Sequence, residues 1–272
     1  MVTAAQRRQA VQHLKRSRIS SERRACRLVG LSRSVARYRL LGRDDSALRE
    51  QLRSLAEAYP RYGYPTLHDM LKSKGWVINR KRTYRLYRDE GLQVRTKRRK
   101  KLYRPRVPML VPSVANERWS IDFMSDQLAS GQRFRVVNVV DDSTRECVLQ
   151  VVDFSISGQR LANELDRLAQ SRTLAKTLVC DNGPELTGKA MFSWSRRTSV
   201  KLHFIQPGKP TQNAFIESFN GKFREYCLDL NWFTSLDDAR STIQHWRTHY
   251  NEVRPHRSLG RKPPALFARG FA

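Results

Sequence analysis

Beyond residue 115 the sequence contains four short apolar runs rich in Val, Ile and Phe, and these limit the fold more than any other feature. They are Trp119–Met124, Phe134–Val140, Cys147–Val152 and Thr177–Cys180. Such runs are typical of strands, and the short AspAspSerThrArg segment predicts a tight turn between the second and the third. Helical patterns follow, roughly over 157–171, 188–199, 211–229 and 235–250. We therefore expect an α/β domain with a mixed sheet, in which a three-strand antiparallel meander precedes alternating helices and strands.

The first part of the chain is strongly basic. Residues 1–110 carry 30 Lys and Arg against 8 Asp and Glu, whereas residues 111–272 carry 22 against 17. The net charge of +27 over 272 residues indicates a polyanionic partner, with nucleic acid as the leading candidate. No apolar run approaches the roughly 20 residues of a membrane-spanning helix, and the N-terminus lacks the apolar segment of a secretory signal. We therefore expect an intracellular, cytoplasmic protein without a membrane partner.

A helix-turn-helix pattern is predicted within residues 1–45. Ser21 and Ser32 each precede a short basic helical segment and are predicted N-caps, with Gly30 as the turn between the two helices. The second helix would present Arg33 and Arg37 to a DNA groove. A pair of ordinary basic surface helices is the alternative.

Residues 46–94 are predicted to form a second helical, DNA-binding unit. A helix over Thr66–Lys74 is expected to end at Gly75, and Asn79 is expected to cap a helix that continues through Glu90. The first turn of that helix contains three cations, Arg80, Lys81 and Arg82. The helix dipole disfavours cations there, so a nearby phosphate would remove the conflict. A solvated charged turn is the alternative.

Residues 95–115 are predicted to be a linker or DNA-tracking arm that separates the helical units from a core at 116–272. The segment RTKRRKKLYRPR is almost wholly basic and is followed by further prolines, so it cannot bury a core. Arg98 and Arg99 are its candidate DNA contacts. The four cysteines form no C-x-x-C pair and are expected to be buried, reduced thiols.

Three acidic residues are the candidate catalytic groups. Asp122 interrupts an apolar strand in WSIDFM, where a lone buried carboxylate is unfavourable unless it is paired or binds a metal. Asp181 follows a buried-looking strand, and strand C-termini are where open α/β sheets bind ligands. Glu217 lies on a helix whose apolar stripe is expected to be Phe215, Ile216, Phe219, Phe223, Tyr226 and Leu230. The opposite face would carry Glu217 together with Asn213, Asn220, Gly221 and Arg224. Taken alone, this position would indicate only that Glu217 is a solvated helix residue.

The order and spacing of these acids carry a family resemblance. Asp181 and Glu217 have 35 residues between them, and a basic residue, Arg224, follows seven positions later. This arrangement resembles the DDE core of retroviral integrases and bacterial insertion-sequence transposases. The segments that carry a closer resemblance, to the second-reading-frame (OrfB) products of the IS-three family, are WSIDFMSDQLASGQRFRVVNVVDDSTREC, VCDNGPE, FIQPGKPTQNAFIESFNGKFREYCL and HWRTHYNEVRPHRSLG. RRACRLVGLSRS and YPRYGYPTLHDML resemble the helical region of that family.

The resemblance implies a ribonuclease-H-like fold with helices on both faces of the sheet and a transposase that cleaves element ends and transfers strands. It also implies two Mg²⁺ ions, with Mn²⁺ as a substitute, held by Asp122, Asp181 and Glu217. Arg224 would hold a phosphate, with Asn182, Gln212 and Asn213 as weaker candidates for orienting DNA. The expected partners are double-stranded DNA at terminal repeats and target, further copies of the chain, and an upstream-frame (OrfA) protein or fusion, in a nucleoid-associated location.

Other polar residues receive structural interpretations. The turn sequence accounts for Asp141 and Asp142, and loop solvation is favoured over a role beside the ligands for Asp126 and Glu185. His245 and His249 lack the HExxH pattern and a third ligand, so they are interpreted as structural. Trp246 and Tyr250 are expected to pack the last long helix on the core. In the tail, Arg254 and Arg257 are candidate DNA contacts.

Two other classes of function stay open at this point. One is a non-catalytic DNA-binding regulator of transposition, for which three acids in this pattern would be unnecessary. The other is a structure-specific nuclease on the same fold, which would hydrolyse DNA without producing a strand-transfer product.

Overall fold

The computed structural model describes residues 3–38, 44–94, 112–206 and 213–271. The chain divides into two compact units, Met1–Glu50 and Gln51–Ala272. The predicted four-segment division at 45, 94 and 115 stays a prediction. The predicted linker from 95 to 111 lies outside the described residues, together with its candidate DNA contacts Arg98 and Arg99.

The first unit contains three short helices, α1 (Ala4–Arg16), α2 (Glu22–Val29) and α3 (Arg33–Arg37). The predicted caps are confirmed, because the Ser21 side chain accepts from the Arg24 amide and Ser32 from the Val35 amide. Gly30 ends α2 with φ 63°, in the left-handed region that glycine adopts at low cost. A small core joins the helices through Val11, Ala25 and Cys26.

Three more helices lie between α3 and the first strand: α4 (Ser46–Ala58), α5 (Tyr64–Ser73) and α6 (Arg80–Asp89). The predicted helix at 66–74 begins two residues earlier, because Pro65 in the first turn has a fixed φ suited to a helix start. Asn79 caps α6 as expected, its side chain accepting from the Lys81 amide at 2.8 Å. Gly75 and Gly91 follow the two helices with positive φ, which fits their predicted role as stops.

A five-stranded mixed sheet forms the centre of the second unit. Its strands are β1 (Arg118–Gln127), β2 (Arg133–Asp141), β3 (Cys147–Asp153), β4 (Thr177–Cys180) and β5 (Lys201–Phe204). The order in the sheet is β3-β2-β1-β4-β5. β1, β2 and β3 form an antiparallel meander, while β4 is parallel to both β1 and β5. The four predicted strands are therefore present, and β5 is an additional strand that the sequence interpretation missed.

Helices cover both faces of this sheet, as the resemblance implies. They are α7 (Gly158–Ala169), α8 (Pro184–Thr187), α9 (Lys189–Thr198), α10 (Ala214–Tyr226), α11 (Leu236–Glu252) and α12 (Pro264–Ala268). Alternating residues of β2 supply the two cores, since Val137 and Val139 pack beneath α7 and α9 while Val136 and Val140 pack beneath α10 and α11. The fold is a mixed α/β, ribonuclease-H-like domain with a helical N-terminal region.

Trp246 and Tyr250 attach α11 to the core, as expected from the sequence. The four cysteines are buried and form no disulfide. Within the described ranges, no helix has the length and apolar character needed to cross a membrane.

Candidate active site

Asp122 and Asp181 lie at corresponding positions on neighbouring parallel strands. Asp122 is in β1, the central strand, and Asp181 directly follows β4. Ser120 of β1 is paired with Val179 of β4. Continuing this register by two residues keeps both side chains on one face and brings the two aspartates level with each other. The sheet thus brings together two acids that are 59 residues apart in sequence.

Glu217 approaches the same region from α10, which packs against β1 and β2. It is exposed and lies in the first turn of that helix, where the helix dipole favours an anion. Burial, together with the negative charges of Asp181 and Glu217, raises the pKa of Asp122 to about 6. Hydrogen bonds to Asp122 oppose this shift. The three predicted acids therefore share one electrostatic environment.

A row of buried amides holds Asp122, and sequence interpretation missed it. The Asn220 Nδ2 donates to Asp122 Oδ2 at 2.8 Å, and the Phe123 amide donates to Oδ1 at 2.8 Å. The Asn138 Nδ2 donates to Asn220 Oδ1, and the Gln150 Nε2 donates to Asn138 Oδ1, both at 2.8 Å. The row fixes the carboxylate through contacts from α10, β2 and β3. The polar Asn138 in the middle of the apolar run RVVNVV was the available signal.

The predicted faces of α10 need three corrections. Asn213 was predicted on the exposed polar face but is 4% exposed. Asn220 was placed on the exposed polar face, but it is only 8% exposed and points to the sheet, where Asn138 and Asp122 satisfy its amide. Leu230 was placed in the apolar stripe, but α10 ends at Tyr226 and Leu230 lies exposed in a following 3₁₀ turn. The helical spacing that predicted Leu230 on the apolar stripe does not apply beyond the end of α10.

The candidate DNA-orienting residues around the acids differ in their surroundings. Arg224 is exposed and donates from Nη2 to the Ser125 carbonyl at 3.0 Å. Asn182 is exposed and donates to the Ile205 carbonyl, which joins the ends of β4 and β5. Asn213 is 4% exposed and donates to the Ile121 carbonyl at 3.3 Å, so its amide is directed into the protein rather than toward DNA. Gln212 lies outside the described residues.

The loop after β4 contains a further charged pair. Arg135 donates from Nη1 to Glu185 Oε1 and lies over the Phe123 ring at 4.6 Å. A Cβ on Gly183 would come within 3.1 Å of Asp181 Oδ1 and 3.3 Å of Glu185 Oε2. Glu185 therefore lies beside Asp181, paired with Arg135 rather than merely solvated as the sequence interpretation favoured. Glycine therefore fits at position 183, whereas a larger residue would displace one of the two acidic side chains.

Asp141 and Asp142 have structural roles. Asp141 is fully buried and accepts hydrogen bonds from the Asn116, Ser143 and Thr144 amides and from the Trp119 indole. Asp142 accepts from Arg118 at 2.6 Å and from the Ser120 hydroxyl at 2.7 Å. The turn interpretation is correct, and the tight satisfaction of these carboxylates excludes them as open metal ligands.

His249 and Arg254, in the C-terminal region, pack against aromatic rings inside the protein. His249 stacks on Tyr59 with centroids 4.5 Å apart, and its ring nitrogens lie 3.3 and 3.1 Å from the Tyr59 and Tyr62 hydroxyls. Arg254 was expected to touch DNA. It is instead buried over the Tyr62 and Tyr226 rings and donates to the Tyr62 hydroxyl.

The candidate DNA contacts on the helices lie largely at the surface. Arg33, Arg37, Arg80 and Lys81 are exposed and Arg82 is half-buried. Arg37 is paired with Glu22 at 2.5 Å, so part of its charge is already neutralised. The Arg80 guanidinium lies 5.6 Å from the Tyr64 ring centroid. The first turn of α6 therefore offers at least two exposed cations to a phosphate.

The donor chemistry of the site fits a hard divalent cation. Carboxylate oxygens are the ligands that Mg²⁺ prefers, and the mutual effect of the three acids on the pKa of Asp122 shows negative charge that a cation would offset. Across 3–38, 44–94, 112–206 and 213–271, no three Asp, Glu, His or Cys side chains are arranged to hold a metal ion. Ligation of two ions by these acids accordingly stays a proposal.

Family comparisons agree with this architecture. Residues 112–210 and 198–264 match two models, each described as an integrase core domain, and residues 43–100 match an HTH-like domain. The HTH-like match covers α4, α5 and α6 rather than the pattern predicted within residues 1–45.

Relatives come from bacterial insertion elements. The insertion element IS407 uncharacterized 31.7 kDa protein of Burkholderia multivorans is 48% identical over 250 residues, 91% of this chain and 90% of that protein. The insertion element IS476 uncharacterized 39.2 kDa protein of Xanthomonas euvesicatoria is 45% identical over 268 residues, 97% of this chain and 77% of that protein.

One solved structure supports the fold. A chain of the simian T-cell lymphotropic virus intasome, solved in complex with the PP2A regulatory subunit B56 gamma, superimposes with a TM-score of 0.53 at 12% identity, covering 80% of this chain and 74% of that one. Since the integrase-core matches, the HTH-like match and the insertion-element relatives together span nearly the whole sequence, the chain belongs to the IS-three family of insertion-sequence transposases, as a second-reading-frame (OrfB) protein.

Proposed function

We propose that this transposase cuts DNA at the ends of its insertion element and joins the freed ends to target DNA, using Asp122, Asp181 and Glu217. The observation that carries the proposal is the alignment of Asp122 with Asp181 on parallel strands, with Glu217 facing them from α10. Asp141 and Asp142 are buried and hydrogen-bonded to protein donors. Asp122 and Asp181 are half-buried and Glu217 is exposed, so a ligand can reach their carboxylates.

Two Mg²⁺ ions, or Mn²⁺ in their place, would be held by the carboxylates of Asp122, Asp181 and Glu217. When bound, such ions lower the pKa of an attacking hydroxyl and stabilise the leaving oxygen of an in-line displacement. The nucleophile is first water, which frees a 3′-hydroxyl, and then that hydroxyl, which attacks a second phosphodiester.

The protein itself orients this chemistry. Asn220 and the Phe123 amide hold the two oxygens of Asp122 in fixed directions, so the carboxylate does not need to reorganise during the reaction. Arg224 lies two turns after Glu217 on α10 and is exposed, which suits contact with a phosphate near the reacting end. Asn182 borders Asp181 and would orient the strand there.

The DNA partner is proposed to be double-stranded, at the element ends and at the target. Arg33, Arg37 and the first turn of α6 would supply phosphate contacts, as would Arg98 and Arg99. Since two ends must be brought together, we propose a multimer of this chain on DNA, with an upstream-frame protein as a further partner. The proposed location is the cytoplasm, in association with the nucleoid.

A strand-transfer assay with labelled element-end DNA and Mg²⁺ tests the proposal. We expect the wild type to yield both cleaved and joined products, and Glu217→Gln to yield neither above background. Glu225→Gln is the matched control, because Glu225 is an exposed acid on the same helix. Joining by Glu217→Gln at the wild-type rate would refute the assigned site. If the wild type cleaved DNA without joining it, the protein would be a nuclease. If the wild type bound DNA without either reaction, it would be a regulator.

A further inference from the structure

A second pocket lies beside the proposed active site, on a different face of α10. It has a volume of about 280 Å³ and is open to solvent where exposed Ser218 and Ser258 lie at its edge. Its other lining residues with polar groups, among the described residues, are Arg145, Lys222, Tyr250 and His256. Ser218 and Lys222 are one helical turn apart and therefore share a face of α10, while Glu217 projects from the adjoining face. None of the lining side chains is among the proposed catalytic residues.

Lys222 is a half-buried cation without a carboxylate partner. Burial, and then the positive charges of Arg254 and Arg145, lower the pKa of its ammonium to about 8. Neither Lys222 nor Arg145 forms an ion pair within the described ranges. The remaining segments contain no Asp or Glu, so no acid outside those ranges could supply one. A buried cation surrounded by cations costs stability unless an anion joins it.

The acids nearest to Arg145 are already occupied. Asp141 and Asp142 both act on the pKa of Arg145, but Asp142 binds Arg118 and Ser120, and Asp141 accepts from backbone amides. Arg145 Nη1 is buried and has no protein hydrogen-bond partner in the described chain. Its guanidinium carbon lies 3.7 Å from the Phe215 ring centroid, which holds the side chain at the pocket wall.

A further observation indicates that the pocket takes a ligand. His256 is 6% exposed, and its Nε2 is buried without a protein partner among the described residues. The ring is held edge-on against Tyr250 at 4.8 Å.

We propose that this pocket binds one phosphate group of a DNA strand, through Arg145, Lys222, His256 and the hydroxyls of Ser218 and Ser258. A phosphate has several acceptor oxygens and a negative charge. The pocket offers a forked guanidinium, an ammonium, two hydroxyls and an imidazole nitrogen, which together satisfy that set of acceptors. A carboxylate ligand would leave some of these donors unused. The choice of DNA as the source rests on the proposed function, and the strand held here would be positioned by the helix that carries Glu217.

Inorganic phosphate tests the pocket without any dependence on catalysis. At constant ionic strength in chloride, we expect added phosphate to raise the unfolding temperature of the full chain saturably, by about 3 °C at ten times its Kd. Lys222→Met should abolish this rise and, without phosphate, should unfold at the same or a higher temperature because an unfavourable buried charge is removed. Lys201→Met, which replaces an exposed lysine on β5, should retain the rise. An equal phosphate response in wild type and Lys222→Met would overturn the pocket assignment.

The salt dependence of DNA binding identifies the source of the phosphate. We expect Lys222→Met to bind duplex DNA about tenfold more weakly at low salt, with a slope of log K against log salt that is smaller by about 0.9. Lys201→Met is again the control. A phosphate response that depends on Lys222, combined with an unchanged DNA slope, would overturn DNA as the source and assign the pocket to a free phosphate compound. Because neither measurement involves cutting or joining, loss of the strand-transfer proposal would leave both results interpretable.

Discussion

Asn220→Ala is the substitution whose effect follows most directly from the contacts around the acids. It removes a donor to Asp122 Oδ2 and an acceptor for the Asn138 amide. Asn138 is fully buried, so its freed N–H cannot turn to water. Leaving one buried polar group unsatisfied costs about 1–3 kcal/mol. The loss of a hydrogen bond to a carboxylate adds to this, so we expect about 2–4 kcal/mol less stability.

The same substitution should slow strand transfer beyond its effect on folding. Asn220 fixes the direction of Asp122 without touching DNA, and loss of a partner of this kind typically reduces activity by about 10–100-fold. Asn138→Ala should lower stability by a similar amount but slow the reaction less, because Asn138 is hydrogen-bonded to Asn220 and not to Asp122 itself.

Urea unfolding and initial strand-transfer rates, measured where every variant is folded, provide the assay. Asn163→Ala is the matched control, since Asn163 is exposed on α7 and is bonded to Gln159; it should change stability by less than about 0.5 kcal/mol. If Asn220→Ala matched this control in stability and stayed within about twofold of the wild-type rate, the buried amides would not position Asp122.

Three further outcomes are expected. Asp141→Asn should lower the free energy of unfolding by about 1.5–3 kcal/mol, because it weakens charge-assisted hydrogen bonds, yet the folded variant should join DNA at the wild-type rate; slow joining would give Asp141 a catalytic role. Burial, and then the charges of Arg254 and His245, lower the pKa of His249 to about 4, whereas the unfolded chain protonates near about 6.5. Stability from this group is therefore complete above about pH 6.5 and should be lost as pH falls toward 4; urea midpoints across that range should fall less for His249→Phe, and an identical fall would contradict the assignment. Arg80→Ala combined with Lys81→Ala should reduce the salt slope of DNA binding by up to about 2, and an unchanged slope would remove α6 from the DNA surface.

Short-range signals predicted most of the secondary structure. Ser21, Ser32 and Asn79 cap helices as expected because an N-cap depends only on the next two or three residues. The β-branched runs gave four strands correctly. β5 was missed because KLHF is four residues long at the sheet edge, with alternating burial, so its pattern is indistinguishable from a loop.

Long-range contacts were not predictable in the same way. Asn220 fits a polar helix face by its spacing from Glu217, and only the packing of α10 on β2 turns it toward Asn138. Arg254 has the composition of a DNA contact, but Tyr62, nearly 200 residues earlier, encloses it. The alignment of Asp122 with Asp181 required the strand order, which the family resemblance implied and the spacing alone did not.

Metal ligation by the acids is tested most directly at Asp181. Its carboxylate accepts a hydrogen bond from the Gly183 amide, whereas both oxygens of Asp122 accept hydrogen bonds, so replacing Asp181 disturbs fewer contacts. In Asp181→Cys a soft thiolate replaces a hard oxygen, so Mg²⁺ should be bound poorly and Mn²⁺ better. Strand transfer should therefore fall at least about 100-fold with Mg²⁺ and recover in part with Mn²⁺, while the wild type changes little between the two ions. Wild-type rates for Asp181→Cys with Mg²⁺ would contradict the proposal that these carboxylates form a metal-dependent strand-transfer site.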